Sequence, residues 1–178
     1  MTTNRALIFP AFFCLVCLMT APTQAADPAG AQATKPQAPA IQIEMVQVAD
    51  IWIPAEFTYS IYEHLVEQVV RSGGFQKVFR AGDRQAEGAA DVVVLRTKVE
   101  KFKEGSQMKR EMTTVLGATR IDVSATVSTR DGRVLLEKNI QGKVLFFGQN
   151  LGATRDLAKR IAKLLNQNIE ALERPASR

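Results

Sequence analysis

Residues 121–134 read Ile121-Asp122-Val123-Ser124-Ala125-Thr126-Val127-Ser128-Thr129-Arg130-Asp131-Gly132-Arg133-Val134, and they decide the fold. Apolar Ile121, Val123, Ala125 and Val127 alternate with polar Asp122, Ser124, Thr126 and Ser128. Side chains on a strand point to opposite faces in turn, so one face is buried and the other meets water. Asp131-Gly132 then suits a two-residue type I′ turn, in which both central residues need positive φ. The run 134–147 returns as the partner strand. An antiparallel hairpin with one wet face is therefore expected.

The same reading extends to both sides. Val92-Val93-Val94-Leu95 is apolar without alternation, as in a strand covered on both faces, and opens a strand over 92–102. Its charged end, Arg96 to Lys103, is expected to project past the core. Phe75-Gln76-Lys77-Val78-Phe79 reads as a short strand, and Ile41 to Val48 as a first strand with one buried face.

Phe57, Ile61, Leu65 and Val69 recur every fourth residue, with Tyr62, Val66 and Val70 beside them. This predicts an amphipathic helix over about 55–72, ended by Gly73-Gly74. A second helix, about 151–172, buries Leu157, Ile161, Leu164, Leu165, Ile169 and Leu172. The order β-α-β-β-β-β-α predicts an α+β fold. Its form is a two-layer α/β sandwich with a mixed, mostly antiparallel sheet of about five strands and two helices on one face. The early β-α-β segment reads as a crossover.

The first 25 residues carry the three parts of a secretory signal: Arg5, an apolar run from Ala6 to Met19, and Thr23-Gln24-Ala25 with small residues at the cleavage positions. The run is shorter than the roughly 20 residues of a membrane span and contains Pro10. Cleavage after Ala25 is expected, leaving no transmembrane span in the mature chain. Cys14 and Cys17, the chain's 2 cysteines, lie in that run. Phe12-Phe13 and Leu15-Val16 before them do not suit lipid attachment, so an exported, periplasmic or secreted protein and not a lipoprotein is expected. Residues 26–40, rich in Ala and Pro, read as a flexible linker, 41–173 as a single α/β domain and 174–178 as a disordered tail.

The net charge of +5 is too small for nucleic-acid binding without clustered bases and stacking aromatics. Loss of Arg5 with the leader lowers it by one. No Gly-x-Ser-x-Gly elbow, phosphate loop or dinucleotide fingerprint is present, so no catalytic residue, cofactor or metal is expected. His64, the 1 histidine, reads as an exposed helical residue. Arg155, Lys159 and Lys163 fall at i, i+4 and i+8, with Arg160 beside them. They form a basic ridge, either an ordinary solvated face or a weak contact to an anionic surface. Lys98, Lys101, Lys103, Lys109 and Arg110 form a second basic region, diluted by Glu100, Glu104 and Glu111. Trp52 is the aromatic most suited to a surface contact, whereas Phe146-Phe147 suit the core. The candidate interaction surface is thus Trp52, Arg155, Lys159 and Lys163.

The stretch ADVVVLRTKVEKFKEGS (90–106), with REMTTVLGATRIDVSATVSTRDGRVLLEKNIQGKV (110–144) and the preceding GGFQKVFR, resembles the bacterial exported family called domain of unknown function 4410. The likeness spans about 41–172. Members often carry several glycines before the alternating strand, where this chain keeps Gly117. The resemblance implies an exported α/β domain of unassigned activity and supplies no site residues.

Three functions fit these readings. The first is a non-enzymatic interaction or assembly domain of the bacterial envelope with a protein partner. The second is a carrier of a small apolar or lipid ligand beneath the 55–72 helix. The third is a hydrolase with an unrecognised site near His64 or near Asp83 and Asp91. The oligomeric state is left open.

Overall fold

A computed structural model describes residues 39–112, 117–145 and 149–172. The leader, most of the linker, Phe146-Phe147 and the tail lie outside the described residues. The elements are β1 (Ala40–Ile43), β2 (Gln47–Val48), α1 (Ala55–Ser72), β3 (Val78–Phe79), α2 (Arg84–Glu87), β4 (Val92–Lys103), α3 (Gln107–Met112), β5 (Thr119–Thr129), β6 (Val134–Val144), α4 (Gly152–Gln167) and α5 (Ile169–Leu172).

One six-stranded mixed sheet runs in the order β3-β1-β4-β5-β6, with β2 also paired to β4. β1 is parallel to both β3 and β4, so β1-α1-β3 is the crossover expected from sequence. β4, β5 and β6 are antiparallel. The long helices α1 and α4 pack on one face, giving the α+β sandwich. Phe57, Ile61, Leu65, Val69, Leu157, Ile161 and Leu165 there meet Ile41, Ile43, Leu95, Val99, Ile121, Val123 and Val127. A smaller cluster of Ala40, Phe79, Ala86 and Val92 sits on the other face beneath α2. That second cover is why Val92 to Leu95 read as apolar on both sides.

Six local expectations are corrected. The strand expected over 41–48 breaks into β1 and β2. Three residues, Glu44 to Val46, stand against Arg96 and Thr97, and pairing resumes one residue out of step. Glu44 clasps Arg96 through two bonds of 2.9 and 3.1 Å. The strand expected over 75–79 forms only at Val78–Phe79.

The charged end of β4 does not leave the core. A bulge at Glu100 switches the side-chain parity, so Phe102 turns inward and meets Phe57 edge-on at 4.7 Å between centroids.

The hairpin turn is not type I′. Among its loop residues the positive φ belongs to Gly132 (90°), and Gly132 N–H donates to Thr129 O. Thr129 N–H in turn donates to Arg133 O. This is a three-residue loop, a type I turn closed by a glycine bulge, which leaves Asp131 in ordinary backbone geometry.

The long C-terminal helix is interrupted at Asn168, whose side chain donates to Leu164 O at 2.8 Å, and continues as α5. Val70, expected in the stripe of α1, is exposed.

Candidate functional site

The position of α4 is set by a glycine. A Cβ on Gly142 of β6 would lie 2.4 Å from Ala153 O and 2.5 Å from Leu157 Cβ. Only a bare backbone lets the helix settle onto the strand at that point. Leu157, Ile161 and Leu165 are then buried, and Arg155, Lys159 and Lys163 project from the opposite side. The sequence reading of a basic ridge is therefore placed on one exposed helix face. None of these three cations has a carboxylate partner among the described residues.

The fold brings further cations to the ridge. Between α4 and β6 runs a groove of about 450 Å³ lined by Lys138, Arg160 and Lys163, with Ile140 and Leu164 as its apolar part; Lys143 borders it at the strand edge, its side chain falling with Gln141 on the other face of the sheet. Between α1 and α4 a second groove, about 480 Å³, is lined by Arg71, Lys159 and Lys163. Lys163 borders both. Among the described residues no acidic side chain lines either groove. The two nearby carboxylates are engaged. Asp156 accepts from Arg160 Nε at 2.9 Å and from the Lys143 N–H at 3.0 Å, and Glu67 holds Arg71. Sequence periodicity missed Lys138 and Arg71, which lie on other elements. Lys138 did leave a trace, since it occupies the apolar register of β6 between Leu136 and Ile140.

β6 is also the open edge of the sheet. Hydrogen-bonding direction alternates along a strand. Because Lys143 N–H points away from β5 to Asp156, the N–H and C=O groups of Glu137, Asn139 and Gln141 point outward too. They have no backbone partner among the described residues.

His64 is not simply exposed. It sits at the seam of α1 and α4, where Nδ1 lies 2.8 Å from Thr154 Oγ1. That hydroxyl gives its one proton to Leu151 O at 2.7 Å, so Nδ1 carries the proton shared with it. Burial, then the Arg155 charge, lowers the imidazole pKa, against a smaller opposing effect of Glu67. Asp83 caps α2 by accepting from Gln85 N–H at 2.9 Å, on the other side of the sheet from His64. Asp91 adopts positive φ (51°) at the entry to β4. These three groups are not brought together.

The second basic region is dispersed. Lys98 pairs with Glu100 at 3.4 Å, while Lys103, Lys109 and Arg120 border a separate groove of about 570 Å³ beside Gly105. The side chain of Arg110 lies outside the described ones. Trp52 is 79% exposed, in the loop before α1, and is not part of the α4 surface. Among the described residues no helix is long and apolar enough to cross a membrane.

This fold is shared with solved proteins. The chain is similar to PelC from Paraburkholderia phytofirmans, solved as a dodecamer in two crystal forms. In one, identity is 14% with a TM-score of 0.54, covering 77% of this chain and 90% of that one. In the other, identity is 14% with a TM-score of 0.52, covering 74% and 89%. Protein XCC0632 from Xanthomonas campestris matches at 14% identity and a TM-score of 0.49, over 77% of this chain and 90% of that one. At such identity the PelC likeness establishes the fold alone. No family model and no curated protein sequence matches the chain. The resemblance to the domain of unknown function 4410 family therefore rests on the residue pattern.

Proposed function

We propose that this chain is an exported, non-enzymatic interaction or assembly domain of the bacterial envelope that meets its partner through the α4–β6 surface. The observation that carries this reading is the convergence of Lys138, Arg155, Lys159, Arg160 and Lys163 beside an unpaired sheet edge. The export part rests on the leader at 1–25 and the pattern likeness to an exported family. PelC, which shares the fold, is described as a dodecamer, and assembly is the use of this scaffold we carry over, here with a partner protein. A ligand carrier is less favoured, because Phe57, Ile61, Leu65 and Val69 of α1 are packed into the core.

The test is expression with the native leader, followed by chemical cross-linking in intact cells and native mass measurement of the purified domain. We expect a mature protein starting at Ala26 and a discrete complex that high salt or the pair Lys159→Glu and Lys163→Glu dissolves. A strictly monomeric protein without cross-linked species, or a complex indifferent to both treatments, overturns the reading.

A further inference from the structure

We infer that the outer edge of β6, from Glu137 to Gln141, accepts an extended acidic segment of a partner protein as an additional strand. This rests on the interaction-domain reading and gives it a partner chemistry.

The slot has two ends. At Lys143 the edge is closed by Asp156, which already takes the outward N–H. Near the hairpin it is closed by a bulge: Val127 pairs with Leu136 but Ser128 pairs with Val134, leaving Leu135 as the extra residue. Between them lie about five residues of straight edge, some 17 Å at the usual rise per residue. An added strand would complete the outward groups of Glu137, Asn139 and Gln141, as in other β-augmentation interfaces. Its alternate side chains would face the helix side, next to Lys138 and Ile140. There the α4–β6 groove presents Arg160 and Lys163, with no carboxylate in its lining among the described residues.

Lysines on an edge strand commonly serve to block unwanted pairing. Lys138 does so against this chain's own copies. Two β6 edges side by side would gather two sets of Lys138, Arg160 and Lys163, like charges in close array. The same set attracts glutamates or aspartates at alternate positions of an incoming strand. The charge and the open edge then act together, the first selecting and the second pairing. A lipid surface would engage the charge but leave the edge groups unpaired.

The decisive experiment uses the mature chain and a synthetic eight-residue peptide alternating Glu with Val, followed by fluorescence anisotropy and by backbone amide exchange. Three controls accompany it: the Lys-for-Glu peptide, the acidic peptide N-methylated along one edge, and phosphatidylglycerol vesicles. We expect binding of the acidic peptide with slowed exchange at Glu137, Asn139 and Gln141. We also expect at least about a tenfold loss on N-methylation and a similar loss with Lys138→Glu plus Lys163→Glu. The Lys peptide should not bind.

No binding, binding unaffected by N-methylation, or vesicles bound with equal strength and the same charge dependence would overturn the inference. Asn139→Pro separates this from the broader reading, since its N–H points outward and is not used in the β5 ladder. A cellular complex that survives Asn139→Pro, with the variant's melting curve intact, refutes strand addition and keeps the assembly function. Absence of any complex refutes the assembly function.

Discussion

His64 on α1 donates its Nδ1–H to Thr154 on α4, 2.8 Å away, and so joins the two long helices across their seam. Protonation of the ring leaves this bond in place, because Nδ1 already carries a proton. The penalty for the charged form comes from burial and from Arg155. The folded-state pKa is thus below the ordinary value of 6.5. The unfolded chain binds the proton more readily, so the stabilisation is complete above about pH 6.5 and is lost as the pH falls toward the folded-state pKa. Thermal melts from pH 7.5 downward should show a decline that His64→Gln removes. In Arg155→Gln the imidazole pKa, followed by NMR titration, should rise. An unchanged value would show that burial acts alone.

Thr97 carries a liability in the core. It is 1% exposed, and its hydroxyl has no hydrogen-bond partner among the described residues. A buried unsatisfied hydroxyl costs about 1–3 kcal/mol, and valine has nearly the same shape. Thr97→Val should therefore stabilise the domain by about 1 kcal/mol in urea unfolding, where Thr-to-Val changes at satisfied sites destabilise. A loss of stability would mean that the hydroxyl is bonded in solution.

Gly142 should be intolerant of even one methyl group. Gly142→Ala forces Ala153 and Leu157 apart and should cost about 1–3 kcal/mol. Gly88→Ala is the matched control. Its φ of −89° suits any residue and its Cβ would meet nothing within 4 Å, so it should be neutral or slightly stabilising. Equal effects at the two sites would contradict the close approach of β6 and α4.

Asn150 ties three segments together. Its Nδ2 donates to Glu104 Oε1 and Gly105 O at 3.0 and 3.1 Å, and its Oδ1 accepts from the buried Thr119 hydroxyl at 3.0 Å. That hydroxyl also accepts from Gly105 N–H at 3.0 Å. Asn150→Ala removes the acceptor for Thr119 and should cost about 1–3 kcal/mol. Faster amide exchange at Gly105, ahead of global unfolding, is the specific readout.

The elements readable from sequence were those whose periodicity is enforced by one buried face. The alternation of Ile121 to Val127 and the four-residue spacing of Phe57 to Val69 each map onto the core as expected. The features that escaped are set by neighbours elsewhere in the chain. The inward turn of Phe102 depends on a bulge that local composition does not mark. The break at Glu44 to Val46 lies where Glu44 pairs with Arg96, a residue distant in the chain. His64 looked exposed because its partner lies 90 residues away. The ridge of Arg155, Lys159 and Lys163 was legible as helical spacing. Its extension to Lys138 needed the knowledge that Gly142 seats α4 against β6.

β4 has a consequence for the order of assembly. It receives β5 through neighbouring sequence, and β5 receives β6 through a three-residue turn closed between Thr129 and Arg133. Its other side waits for β1, where Ala40 must find Val92 with the whole of α1 in between. Closing the larger loop carries the greater entropic penalty. The antiparallel half can therefore form quickly from local contacts, while the parallel half sets the pace. A domain folding after passage through a membrane would have its β4-β5-β6 meander, and with it the β6 edge, in place before its amino-terminal strand is docked.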